Sequence, residues 1–328
     1  MNENIFINIA SYKDPLLKTT IESAYDNASN KNNLVFGVVE QNDLINSLNL
    51  KDFVFKSQIR YIRLDPEYAR GACFPRNLAQ TLYNKEKYYF QIDSHMLFEN
   101  NWDSILIEEF NKLRQWHEKP LITAYPWEFK YDINGGITLE KRTNTNELLA
   151  LIVEHGYEFV KDEYYVPAKT KILSKSEPVH GYMLSGNFVF THGTFCYEVP
   201  YDPFLYFSGE EHSLALRAWT NGYNIFHIPH IPLYHCYSRE YRTTHWGDTQ
   251  IEEEKQIKWW QYDKMSKERL THIVTGKPLG IYGIGNIRSL EDYSNFCGID
   301  YCTKSVINKE YYEEKVFEMD WRKPILLT

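Results

Sequence analysis

Apolar residues in the first part of the chain come as short continuous runs, and between the runs they recur at helical spacing. Residues 5–10 form the first run. Asp14 and Pro15 then open a helix as N-cap and first position, with Leu17, Ile21 and Ala24 as its buried stripe. Residues 34–40 and 59–65 are two further strand-like runs. A helix is expected from near Pro75, with Leu78 and Leu82 turned inward, ahead of a strand at 88–93. Beyond Trp102 another helix carries Leu106, Phe110 and Leu113, and the strand PLITAYP follows. Strands this apolar, separated by helices, predict an α/β fold with a mostly parallel central sheet covered on both faces. Ligands of such sheets sit at the carboxyl ends of the strands.

The pattern weakens after residue 126. Residues 127–178 are more polar, with an Asn134-Gly-Gly turn and a charged stretch at 158–165, and read as an insertion or lid. Residues 181–237 supply the last elements of the sheet. The expected division is a catalytic domain at 1–238 and a C-terminal extension, 239–328, packed on it. That extension holds a charged helix around 251–270 and a turn-rich stretch at 280–288. No internal repeat or low-complexity segment is visible.

Composition narrows the class. With 43% apolar and 24% charged residues the chain has the profile of a folded enzyme or binding protein. Its 26 Tyr and 8 Trp suit a carbohydrate binder, because aromatic rings cover the apolar faces of sugars; an aromatic-rich core gives the same count. A net charge of −8 argues against nucleic acid or an anionic membrane as the main partner. No apolar run approaches a membrane span and no leader pattern opens the chain, so a cytoplasmic protein is expected. Cys73, Cys196, Cys236, Cys297 and Cys302 are scattered without CxxC spacing, which reads as free thiols.

Three segments carry chemistry. In Gln91-Ile-Asp-Ser-His-Met96, Asp93 closes an apolar strand and His95 follows two positions on, so both can face one ion. A carboxylate with imidazole suits Mn²⁺, with Mg²⁺ as the substitute; the plain alternative is a strand-end Asp and an exposed His. In Pro232-Leu-Tyr-His-Cys-Tyr-Ser-Arg239, His235 can add a third ligand, with Tyr237, Arg239 and Arg242 placed as donors to a diphosphate. His227, His230, His192 and His212 read as structural. In Phe207-Ser-Gly-Glu-Glu-His212, before a helix stopped by Gly222, one of Glu210 and Glu211 faces the site: Glu211 for the reaction, Glu210 in support. Upstream, Gly71 allows close backbone approach and Arg76 lends charge toward a phosphate. Ser185-Gly-Asn187 either lines a sugar pocket or turns the chain.

Taken together, IFINIASYKDP, ARGACFPRN, QIDSHMLFENNWD, YDPFLYFSGEEHSLALRAWTNGYNIFHIP, LYHCYSR and LGIYGIGNIRSLEDY resemble the family of cytoplasmic UDP-GlcNAc:polypeptide (hydroxyproline) α-N-acetylglucosaminyltransferases. The Asp-Ser-His triplet is also similar to that of the mucin-type GalNAc-transferases. The resemblance implies a GT-A fold, a UDP-sugar donor, Mn²⁺, retention of configuration and a polypeptide or glycan acceptor. It implies Asp93, His95 and His235 as the metal site, Ser11, Tyr12 and Arg76 along the nucleotide, and Gly186 and Glu211 near the transferred sugar. Two rivals share the residues: a metal-dependent nucleotide-sugar hydrolase, and a catalytically silent sugar-binding scaffold.

Overall fold

The computed structural model describes residues 3–132, 134–140, 147–154, 159, 160, 163–307 and 309–325. An eight-stranded sheet runs in the order Val179–Gly181, Asn224–His227, Pro120–Thr123, Phe188–His192, Tyr88–Asp93, Ile5–Tyr12, Leu34–Gln41, Ile59–Leu64. Val179–Gly181 and Phe188–His192 oppose their neighbours, and the remaining strands share one direction. The sheet is therefore mostly parallel, as the continuous apolar runs predict. Ile5, Phe6, Ile7 and Ile9 are buried on both faces of the central strand. Its register pairs Ala10 with Asp93 and Tyr12 with Gln41, so Ser11, Tyr12, Gln41 and Asp93 leave the sheet at one edge.

The helices differ from expectation in their ends and faces. Leu17–Asp26 does bury Leu17, Ile21 and Ala24, but it starts later than Pro15. Asp14 accepts from the Leu16 amide at 2.9 Å, and its carbonyl accepts from Leu17 at 3.2 Å, which forms a turn before the helix. Cys73–Gln80 turns Cys73, Arg76, Ala79 and Gln80 inward, whereas Leu78 and Leu82 are only half-buried. The ion pairs of Arg76 with Asp93 and Glu210 set its rotation, and they outweigh one leucine contact. Trp102–Arg114 buries Leu106, Phe110 and Leu113 as expected.

A second, four-stranded sheet joins Met96–Phe98, Leu233–His235, Trp127–Tyr131 and Ile137–Leu139. Its pairing of Met96 with His235 carries His235 to the Asp93–His95 segment. Gly135, at φ 85°, makes the expected turn of its outer hairpin. Glu147–Val153 pairs antiparallel with Ala168–Ser174. Leu148 and Ala150 to Val153 are buried there in one cluster with Leu216, Trp219, Tyr293, Phe296, Val316 and Phe317. The charged stretch at 158–165 lies partly outside the described residues.

The single charged helix expected around 251–270 is two helices, Thr249–Glu254 and Trp259–Val274. Glu252 bridges the break: its carboxylate accepts from the Trp259 amide at 2.9 Å and from Lys255 Nζ at 2.8 Å. Gly222, at φ 84°, ends Glu210–Thr220 as expected. The five cysteines are free thiols. Among the described residues no helix is long and apolar enough to cross a membrane.

Candidate active site

The carboxyl edge of the sheet assembles the metal-ligand candidates from two chain segments. Asp93 ends its strand, His95 follows across a two-residue bend, and His235 ends the strand paired with Met96. One ligand atom from each lies within 4.8 Å of the other two. His235 Nε2 is 3.1 Å and His95 Nε2 3.5 Å from Asp93 Oδ2. Burial pushes the His235 imidazole down to about 4 against its bond to Asp93, so it is neutral at neutral pH with a lone pair to offer. Burial alone would raise the Asp93 carboxyl, but Arg76 and the His235 hydrogen bond hold it well below the usual range. One carboxylate and two imidazoles fit a borderline divalent cation such as Mn²⁺. The buried His235 Nδ1 has no hydrogen-bond partner among the described residues, so Asp93 is the side chain that engages this ring.

Below this cluster lies a polar lattice around Arg76. One terminal nitrogen pairs with Asp93 and the other with Glu210, while Tyr201 Oη lies 3.0 Å from the latter nitrogen. Tyr201 donates to Glu210 Oε1 at 2.5 Å and accepts from Gln91 Nε2 at 2.7 Å. Arg76 lines the cavity, with its charge balanced by these buried carboxylates. Glu210, 4% exposed, sits in this lattice.

The neighbouring acid points elsewhere. Glu211 Oε1 accepts from the Gly186 amide at 2.7 Å and Oε2 from Tyr125 Oη at 2.8 Å. Burial, reinforced by Glu210 and opposed by those two donors, pushes its carboxyl up to about 7. Gly186 must be glycine for packing, since a Cβ would come within 2.7 Å of Arg76 Nη1 and 2.8 Å of Glu210 Oε1. Gly71, which also lines the cavity, is required by packing as well. At φ +80° its Cβ would lie 2.0 Å from the Tyr206 carbonyl oxygen. Ser185 Oγ donates to Asn187 Oδ1 at 2.7 Å beside Gly186.

A cavity of about 460 Å³ opens over these groups. Ser11 and Gln41 line one end, and Ser11 Oγ and Gln41 Oε1 are buried without a partner among the described residues. Tyr12 also lines it, with its hydroxyl donating to Asp248 Oδ2 at 3.0 Å beside Lys13 Nζ at 2.7 Å. The Tyr237 ring lies 4.3 Å from that of His235, but its hydroxyl donates to the Pro126 carbonyl at 2.7 Å and so is not a free donor for a diphosphate. Arg239 lies over the Trp246 ring at 5.1 Å. The other histidines tie segments together: His227 bonds Thr123 and Leu151, His212 bonds Val166 and Tyr301, His230 bonds Glu99 and His192 bonds Thr194.

Asp14, Gln41, Tyr125 and Tyr201 are members of the site that sequence patterning missed. Asp14 had a sufficient local explanation as a helix cap. The other three carry no motif and reach the site through contacts distant in sequence.

Residues 42–303 match the model of the glycosyltransferase (GlcNAc) family. The chain belongs to that family. By family it is a glycosyltransferase. Its α/β architecture is of the GT-A type. The crystal structure of GalNAc-T7 with UDP, GalNAc and Mn²⁺ is similar at a TM-score of 0.54 and 16% identity, over 95% of this chain and 56% of that one. The glycosyltransferase thus spans little more than half of the GalNAc-T7 chain. S. aureus TarS 1-349 in complex with UDP aligns at a TM-score of 0.45 and 10% identity, over 92% of this chain and 80% of that one. The same protein with UDP-GlcNAc gives 0.43 and 11%, over 84% and 76%. No curated protein sequence matches the chain.

Proposed function

We propose that this glycosyltransferase moves GlcNAc from UDP-GlcNAc to a hydroxyl of a polypeptide or glycan, with retention and with dependence on Mn²⁺. The observation that carries the reading is the convergence of Asp93, His95 and His235 within 4.8 Å beneath a cavity at the carboxyl edge of the sheet. A divalent cation held there supplies positive charge to the departing nucleoside diphosphate. The motif resemblance supports GlcNAc, retention and the hydroxyproline-directed branch of the family. GalNAc-T7, of the same fold, carries UDP and Mn²⁺.

The chain's own groups divide the remaining work. Ser11 Oγ and Gln41 Oε1, both buried and unpaired, match the donor and acceptor edge of a uracil ring. Arg239 and Arg242, bordering the cavity, draw charge from the diphosphate. Arg76 keeps Asp93 ionised and fixed, and so acts on the site from below. Glu211, steadied by Gly186 and Tyr125, orients the sugar and faces the positive charge that develops at its anomeric carbon. The acceptor hydroxyl attacks from the side the diphosphate leaves: its oxygen bonds to the anomeric carbon as the bond to the diphosphate breaks, and its proton passes to the departing diphosphate.

The test is incubation of the purified protein with Mn²⁺ and a panel of UDP- and GDP-sugars, reading nucleotide release and sugar fate by mass spectrometry. Turnover confined to UDP-GlcNAc, lost with EDTA and accelerated by acceptor extracts, supports the proposal. Release of free sugar that no acceptor accelerates favours the hydrolase instead.

A further inference from the structure

We propose that Asp14 is the positioning residue of the metal site: it fixes the tautomer of His95 so that Nε2 offers its lone pair toward Asp93. This rests on the reading of Asp93, His95 and His235 as metal ligands.

Asp14 has a buried carboxylate, 5% exposed, at the end of the turn that follows the central strand. Its Oδ2 lies 2.7 Å from His95 Nδ1 and accepts from Ser94 Oγ at 2.8 Å, while Oδ1 accepts from the Leu16 amide at 2.9 Å. Arg242 Nε approaches the same Oδ2 at 3.8 Å. Every group around this carboxylate is a donor, so His95 Nδ1 must carry its hydrogen toward Asp14. The other ring nitrogen, which faces Asp93 Oδ2 at 3.5 Å, is then the one left for an ion.

The two imidazoles of the site are unequal in this respect. His235 Nδ1 is buried with no partner among the described residues, so no carboxylate holds that ring from behind as Asp14 holds His95. The segment that follows the central strand therefore prepares one ligand before an ion arrives. Holding the ring also restrains it against rotation, which lowers the ordering cost of ligation.

Asp14→Asn is the discriminating variant. It keeps the shape and the Leu16 bond, but its amide can present a donor to His95. The ring would then hold its hydrogen on Nε2, where a metal must bind. Two readouts apply to the metal-free protein: the ¹⁵N shifts of the His95 ring, and titration with Mn²⁺ alone followed by loss of the free-ion EPR signal. The expected result is a wild-type His95 protonated at Nδ1 and, in Asp14→Asn, a shift toward Nε2 protonation with Mn²⁺ affinity lowered about 10–100-fold. Ser94→Ala, which leaves the Asp14–His95 contact in place, should keep the wild-type tautomer and change affinity less. A wild-type tautomer and affinity within twofold in Asp14→Asn would overturn the proposal. Failure of the wild type itself to bind Mn²⁺ would overturn the metal reading beneath it, and the two failures are distinguishable.

Discussion

Arg76 pairs with Glu210 across 134 positions of sequence, in a place where neither side chain meets bulk solvent. The pair is the joint between the helix after the third strand and the helix that carries Glu211. Removing one partner leaves the other charge buried and alone, which costs about 3–5 kcal/mol. Arg76→Ala is expected to lose stability of this size in urea unfolding. Arg76→Met combined with Glu210→Gln should lose clearly less than the sum of its two single changes. Additive losses would show that the pair is not coupled.

Glu211 gives a pH dependence with a definite sign. Its carboxyl is raised from 4.5 in the unfolded chain to about 7 in the fold. Its contribution to stability is therefore fully present below pH 4.5 and is lost as pH rises through 7. From pH 4.5 to 8 the unliganded wild type should lose about 2–3 kcal/mol relative to Glu211→Gln. Unfolding curves of both proteins at several pH values test this; parallel pH profiles would refute it.

His235→Ala separates metal dependence from folding. The imidazole is buried with one nitrogen unpaired, so its loss should move the metal-free Tm only modestly. The rise in Tm that Mn²⁺ gives the wild type should disappear, and kcat with UDP-GlcNAc should fall at least ~100-fold. A variant that keeps the Mn²⁺-dependent rise in Tm would remove His235 from the ligand set.

Gln41 is expected to report on the base of the donor. Gln41→Leu removes the unpaired Oε1 without changing the strand that carries it. KM for UDP-GlcNAc should rise about tenfold, the equivalent of one hydrogen bond, with kcat nearly unchanged. An unchanged KM would place the uracil elsewhere.

The legible parts of the sequence were those whose chemistry is local. Buried parallel strands read as unbroken apolar runs, and Asp93 with His95 stands where one such run stops. The helix at Trp102–Arg114 could be read from its own spacing. Arg76 could not: its rotation into the interior depends on Glu210, which no window around Arg76 contains. The same holds for Tyr125 and Tyr201, whose hydroxyls serve carboxylates 86 and 9 residues away. In the extension the helical pattern continued through a break that one carboxylate, Glu252, bridges by accepting from Trp259.

Tyr12 is held by Asp248, 236 positions later in the chain, and Tyr206 by His245. A nascent chain that has emerged only as far as residue 238 would possess every strand of the main sheet, yet its pocket would lack one wall. Competence to hold a donor therefore arrives late in synthesis. An exchange of tails between relatives at that boundary would transplant part of the pocket along with the appendage.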